Sequence, residues 1–103
     1  MGPPIFRGYD RAGLDREYDN RTKVPGFDFD AVLAQCERAS EAARRRHDCV
    51  LDVPYGASPA ERLDIFRAET PGAPVHLFFH GGYWRMLDKQ DLTYVSDGLV
   101  PHR

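Results

Sequence analysis

The chain has 103 residues, which is enough for one small domain and no more. Hydrophobic residues make up 42% of the sequence and charged residues 29%, an ordinary composition for a globular protein. The formal net charge of −2 excludes a strongly basic molecule that would recruit nucleic acid or an anionic membrane. No apolar run approaches the roughly 20 residues that a membrane-spanning helix needs.

Two features of the sequence bear on where the protein works. Residues 1–13 contain no apolar run of the kind found in a secretory signal. Cys36 and Cys49 form no CxxC pair, and free thiols are the usual state of cysteines in a reducing compartment. We therefore expect a cytoplasmic protein.

The first half of the chain predicts an arm followed by one long helix. Residues 1–27 are polar and rich in Gly and Pro, with a helix-compatible stretch over 14–21. They predict an arm that packs on something else and is not a self-sufficient unit. Asp28 can cap a helix that we expect over 28–46. The apolar residues of this helix recur at helical spacing and define its expected buried face, namely Phe29, Val32, Leu33, Cys36, Ala39 and Ala43.

The next segment predicts an antiparallel β-hairpin over 49–67. Its two apolar-rich stretches, 49–53 and 63–66, are short enough for strands. The residues between them, 54–60, are dominated by Pro, Gly and Ser, which favour turns. A hairpin with a rather long loop is the natural interpretation.

The C-terminal segment predicts a strand, a loop and a helix. Residues 75–79 form a nearly unbroken apolar run, typical of a central strand covered on both faces. The loop that follows is His80-Gly-Gly-Tyr-Trp84. Asp88 and Asp91 then resemble the acidic first turn of a helix. Apolar residues at helical spacing extend that helix to about Leu99.

The glycines of this loop carry the clearest chemical signal in the chain. After a buried strand, α/β-hydrolases use such a loop for part of their oxyanion hole, where backbone amides stabilise the negative charge that acyl transfer places on a carbonyl oxygen. Because glycine has no Cβ, the loop can turn its amides inward. We predict that Gly82 and Tyr83 donate these amides and that His80 and Gly81 support the loop. For the bare His-Gly-Gly sequence, a plain turn at a strand end is the alternative.

Two further site assignments concern the same region. Tyr83 and Trp84 either line a pocket for an acyl or aromatic substrate or belong to the core. His76 and His80 are four residues apart, and on a strand this spacing separates them by roughly 13 Å, too far to share one metal ion. We therefore predict no metal site.

Three blocks of sequence together resemble the kynurenine formamidase-like α/β-hydrolases. The first, Glu17-Tyr-Asp-Asn-Arg-Thr-Lys-Val-Pro25, is similar to the N-terminal arm of these proteins. The second, Tyr55-Gly-Ala-Ser-Pro-Ala-Glu-Arg-Leu-Asp-Ile-Phe66, is similar to a segment upstream of their oxyanion loop. The third, His80-Gly-Gly-Tyr-Trp-Arg-Met-Leu-Asp-Lys89, resembles the loop itself. The blocks occur in the family's order and span almost the whole chain.

This resemblance implies an α/β fold, the N-terminal part of an α/β-hydrolase domain with an incomplete sheet. It implies a Ser-Asp-His triad that hydrolyses a carboxylic ester or an aryl formamide, without a metal or organic cofactor. The implied partner is a small-molecule substrate of the complete protein, and a homodimer is left open. None of the three serines, Ser40, Ser58 and Ser96, lies in a G-x-S-x-G elbow, so the triad is expected beyond Arg103 and the chain alone is expected to be inactive.

A non-catalytic alternative is a short protein that binds a partner chain by completing its sheet. In the fold implied by the resemblance, a later strand lies beside 75–79, so this strand has no neighbour in the chain alone. An unpaired apolar strand tends to mispair or aggregate. We expect the isolated polypeptide to be unstable or partly disordered, and a cooperative, monomeric melting transition would contradict this.

Overall fold

A computed structural model of the chain describes residues 2–82 and 85–101. The chain divides into two compact units between Ala31 and Val32. The described residues contain three α-helices, one antiparallel pair of strands and two 3₁₀ segments. None of the helices in these ranges is long and apolar enough to cross a membrane.

The N-terminal unit is built on two short helices, each capped by an aspartate. Helix α1 spans Arg11–Tyr18, and Asp10 accepts a hydrogen bond of 2.7 Å from the amide of Gly13 in its first turn. Helix α2 spans Asn20–Lys23 and begins after Asp19, which caps it in the same way. The helix-compatible stretch expected over 14–21 therefore covers the end of α1, the capping residue Asp19 and the start of α2.

The long helix α3 spans Phe29–Arg46. Asp28 accepts a hydrogen bond from the amide of Ala31, as the predicted N-cap requires. Burial is greatest in the second half of the helix, where Ser40 and Ala43 are 0% exposed. Val32, at the start of the predicted apolar face, remains 44% exposed. The helix was thus predicted correctly, but its apolar face is covered only in part.

The predicted hairpin is present and antiparallel. Strand β1 spans Cys49–Pro54 and strand β2 spans Arg62–Phe66. The pairing shifts between Val50 and Val53, so that two residues of β1 lie opposite one residue of β2. Such a β-bulge bends the strand locally.

The central strand expected over 75–79 is not formed in this chain. The segment has no strand pairing among the described residues, and its side chains lie in solvent, with Val75 89%, Leu77 73% and Phe79 85% exposed. An extended segment needs a neighbouring strand for its amides and carbonyls, and the hairpin does not provide one. The expectation that this run is buried is therefore wrong for the chain as it stands, whereas the expectation that it lacks a neighbour agrees with the structure.

The helix expected after Asp88 is also not formed as predicted. Two 3₁₀ segments, Lys89–Asp91 and Thr93–Gly98, take its place. Thr, Ser, Asp and Gly within the second segment all have low helix propensity, because their backbones or side chains compete with helical hydrogen bonding. Ser96 shows this directly, since its hydroxyl donates to the carbonyl of Thr93 at 2.7 Å.

A small polar core joins these 3₁₀ segments to α3. Thr93 donates from its hydroxyl to the carbonyl of Ser40 at 3.3 Å, and the hydroxyl of Ser40 accepts from the amide of Tyr94 at 3.2 Å. Arg44 adds a hydrogen bond of 2.8 Å to the hydroxyl of Thr93. Because the buried side chains are small, the backbones approach closely, and because they are polar, each needs a partner.

Candidate functional site

The glycine-containing loop ends in a tight turn that only glycine can begin. The carbonyl of Gly82 accepts hydrogen bonds from the amides of Arg85 at 3.0 Å and Met86 at 3.1 Å. Gly82 has a φ of +132°, and a Cβ at this position would run into the carbonyl group of Met86. A side chain is therefore excluded by both conformation and space.

Gly81 and His80 lie before this turn and are much less constrained. A Cβ at Gly81 would meet only open space. His80 is exposed, and its Nδ1 lies 2.8 Å from the carbonyl oxygen of Gly81, to which the Nδ1–H tautomer donates. The imidazole thus binds the backbone of its own loop.

The amide of Gly82, the predicted oxyanion donor, has no hydrogen-bond acceptor among the described residues. The amides of residues 75–81 before it are likewise without a described acceptor. A backbone amide in this state can serve an incoming acceptor such as a carbonyl oxygen. Tyr83 and Trp84, predicted as the second donor and as pocket residues, lie outside the described residues, so those assignments stay predictions.

A cluster of three charged residues lies where the loop region meets the hairpin. Lys89 Nζ lies 2.7 Å from Asp52 Oδ1 and 2.7 Å from Asp64 Oδ1. The amide of Asp52 also donates to Asp64 Oδ1, at 2.9 Å. The side chain of Asp64 is only 6% exposed and that of Lys89 26%, so the lysine is the cation that offsets a nearly buried carboxylate.

The pKa values of Lys89 and Asp52 are shifted by the hydrogen bonds between them and by their charges. Burial alone would lower the pKa of Lys89, but the hydrogen bonds to Asp52 and Asp64 outweigh it, and the pKa lies above its usual value. The hydrogen bond from Lys89, followed by its positive charge, lowers the pKa of Asp52. Lys89 is therefore held in its charged form and is not suited to act as a base near neutral pH.

The described serines and histidines do not form a nucleophile and base. Ser40 and Ser96 are buried and hydrogen-bonded within the polar core. Ser58 lies in the hairpin turn, where its hydroxyl accepts from the amide of Ala60. No hydrogen bond joins a described histidine to a serine hydroxyl, since His47 binds Asp97 and His80 binds the Gly81 carbonyl. Within residues 2–82 and 85–101 no group of three His, Cys, Asp or Glu residues could hold a metal ion.

Sequence reasoning singled out the loop but missed the charged cluster. Lys89 was noted only as the end of a motif, and Asp52 and Asp64 only as parts of apolar-rich strands. One signal was available, because an aspartate inside each of two paired strands calls for a compensating cation. Which cation supplies it depends on the path of the chain after residue 82.

The chain is similar to known kynurenine formamidases. It is 30% identical to the kynurenine formamidase of Danio rerio over 93 residues, which cover 84% of this chain and 32% of that protein. It is 33% identical to the kynurenine formamidase of Salmo salar over 66 residues, which cover 62% of this chain and 22% of that protein. The chain thus spans about a third of the first relative and less of the second. No family profile matches the chain, and no solved structure matches it.

Proposed function

We propose that the chain is the oxyanion-loop part of a formamidase-type serine hydrolase with an α/β-hydrolase fold. The observation that carries this is the loop at Gly82, whose carbonyl closes the following turn and whose amide has no hydrogen-bond partner among the described residues. The similarity to two kynurenine formamidases supports the same assignment. The substrate class is an aryl formamide or a small carboxylic ester.

The proposed chemistry uses this loop to stabilise a tetrahedral intermediate. A serine attacks the carbonyl carbon of the substrate, a histidine accepts the serine proton, and the carbonyl oxygen becomes negatively charged. The amides of Gly82 and Tyr83 donate to that oxygen, and Tyr83 and Trp84 line the pocket. His80 and Gly81 hold the loop, which the hydrogen bond between them supports. The loss of one oxyanion donor typically lowers kcat by about 100- to 1,000-fold.

The serine, aspartate and histidine of this mechanism are proposed to lie beyond Arg103. The described serines are buried or turn-forming and hydrogen-bond to no described histidine, which supports this placement. The chain alone should then not hydrolyse an ester, and a fluorophosphonate probe should label none of its three serines.

A second candidate function is sheet completion with a partner chain. Two features favour it, because each offers unpaired backbone to another strand. One is the open edges of the two-stranded hairpin. The other is the unpaired segment 75–79, whose apolar side chains Val75, Leu77 and Phe79 are exposed. In this case the partner is a different polypeptide, and no catalytic serine is required.

The coding DNA beyond residue 103 separates the two candidates. The hydrolase proposal expects a further strand followed by a G-x-S-x-G elbow, and the longer polypeptide should cleave N-formylkynurenine or p-nitrophenyl acetate. It should also react with a fluorophosphonate at the elbow serine, with the 103-residue chain as the unlabelled control. A stop codon directly after residue 103 on an intact transcript would favour sheet completion.

A further inference from the structure

Two aspartates, Asp52 and Asp64, form an acidic site at the bulge of the hairpin. The register places Leu51 and Asp52 opposite Asp64, and Asp52 adopts a φ of +57°. This conformation turns the amide of Asp52 towards the carboxylate of Asp64, to which it donates at 2.9 Å. The bulge therefore brings two carboxylates to one place on the hairpin.

Lys89 binds at this acidic site, and its Nζ makes one contact of 2.7 Å with each carboxylate. The second oxygen of Asp64, Oδ2, is buried and has no hydrogen-bond partner among the described residues. The charge of Asp64 is thus compensated by Lys89 and by the amide of Asp52. A lysine held by two acceptors is restricted in position far more than a lysine in a single surface ion pair.

The path from Lys89 back to Gly82 is short and braced by hydrogen bonds. Asp88 and Asp91 form a capping box around the first 3₁₀ segment, with the amide of Asp88 donating to Asp91 at 2.8 Å. The amide of Met86 closes the turn onto the carbonyl of Gly82 at 3.1 Å. One hydrogen bond thus ties Met86 to Gly82, and a separate set holds residues 88–91, which include Lys89.

We propose that Lys89 is a positioning residue, whose contacts with Asp52 and Asp64 at the hairpin bulge hold the Gly82 amide in place for the substrate oxygen. This inference rests on the proposed function and deepens it. Lys89 itself touches no substrate, and its effect is exerted through the backbone of residues 85–89 and the hydrogen bonds from Arg85 and Met86 to Gly82. A hydrolase with a displaced oxyanion donor binds its substrate but stabilises the transition state poorly.

The test uses the longer polypeptide that contains this chain and compares Lys89→Met with the wild type. Methionine keeps the length of the side chain and removes the charge. We expect kcat for N-formylkynurenine or p-nitrophenyl acetate to fall about 10- to 100-fold, with KM changed less than about threefold. Lys89→Arg should restore much of kcat, because a guanidinium can donate to both carboxylates. Lys23→Met, which removes a lysine paired with Glu17 in the N-terminal unit, should leave kcat unchanged.

A double variant separates positioning from stability. Lys89→Met leaves Asp64 as an uncompensated buried charge, and Asp64→Asn removes that charge while Oδ1 still accepts from the amide of Asp52. The double variant should therefore recover thermal stability relative to Lys89→Met, yet its kcat should stay low because the tether is absent. If kcat recovers together with stability, Lys89 has a structural role only and the inference is overturned.

The two proposals fail in different ways. A wild-type polypeptide that cleaves neither substrate overturns the proposed function and, with it, the catalytic role of Lys89. An active wild type with an unchanged kcat in Lys89→Met overturns the inference alone. In the longer polypeptide, Lys89→Met should also lower the hydrogen-exchange protection of the Met86 amide about tenfold. Equal protection of this amide in the wild type and in Lys89→Met also counts against the inference.

Discussion

His47 Nε2 lies 2.6 Å from Asp97 Oδ1, and this hydrogen bond joins two residues that are 50 positions apart in the sequence. The side chain of His47 is only 6% exposed. Its ring packs edge-on against the ring of Phe66, with the two ring centroids 6.4 Å apart. Arg46 Nη1 adds a contact of 2.9 Å to the same carboxylate oxygen. Asp97 therefore fastens the end of the second 3₁₀ segment to the end of α3.

Acidification should loosen this link. The hydrogen bond from His47 is the main cause that lowers the pKa of Asp97 below its usual 3.8, and the charge of Arg46 adds to it, whereas partial burial opposes it. A carboxylate whose pKa is lowered by folding stabilises the folded state at pH values above its pKa in the unfolded chain. This contribution is lost as the pH falls through the pKa in the folded state. We expect the Val100 amide, which donates to Ser96, to be better protected in the wild type than in Asp97→Asn at pH 6, and the difference to shrink below pH 3.8.

Hydrogen exchange over pH 2.5 to 6, corrected for intrinsic rates, measures this difference. The comparison with Asp97→Asn isolates the one carboxylate, because Asp10, Glu17 and Asp52 also have lowered pKa values. A difference that stays constant over the whole range would contradict the assignment to Asp97.

Ser40 should be sensitive to loss of its hydroxyl although the side chain is small. Ser40→Ala removes the acceptor for the amide of Tyr94 and leaves that amide without its partner. We expect the free energy of opening at the Tyr94 amide to fall by about 1 kcal/mol, which corresponds to roughly fivefold lower hydrogen-exchange protection. Gln35→Ala, at an exposed position of the same helix, is the matched control and should change protection little. Equal effects of the two variants would show that the polar core is not specifically packed.

The two glycines of the loop should differ sharply in their tolerance of alanine. Gly82→Ala forces a side chain into a positive-φ turn against the carbonyl of Met86, and we expect it to cost about 1–3 kcal/mol locally. The amides of Arg85 and Met86, which donate to Gly82, should then lose at least tenfold in protection. Gly81→Ala has open space for its methyl group and serves as the control. Similar protection in both variants would exclude a defined turn at Gly82.

The exposed apolar run should govern the solubility of the isolated chain. Phe79 is 85% exposed within a stretch of unpaired backbone, a combination that favours intermolecular strand pairing. Phe79→Lys should therefore raise the concentration at which light scattering first increases. Tyr18→Lys is the control, because Tyr18 is 81% exposed but lies in a short polar helix. If Tyr18→Lys raised this concentration more than Phe79→Lys did, residues 75–79 would not be the site of association.

The elements that depend on residues close together in the sequence could be predicted from it. Helix α3 follows from its apolar spacing and from Asp28, which caps it as expected. The hairpin follows from two apolar stretches around a cluster of turn residues. Residues 75–79 show the limit of such reasoning, because an apolar run indicates burial only if the chain also supplies a neighbour for it.

The sequence by itself determined the helix, the hairpin and the glycine loop, because caps, periodicity and turn residues act over a few positions. Only the tertiary structure decided that Lys89 binds Asp52 and Asp64 and that His47 binds Asp97. These ion pairs and hydrogen bonds join residues 25 to 50 positions apart in the sequence. Their formation depends on how the chain returns to α3 and to the hairpin bulge after Gly82, and no local pattern encodes that path.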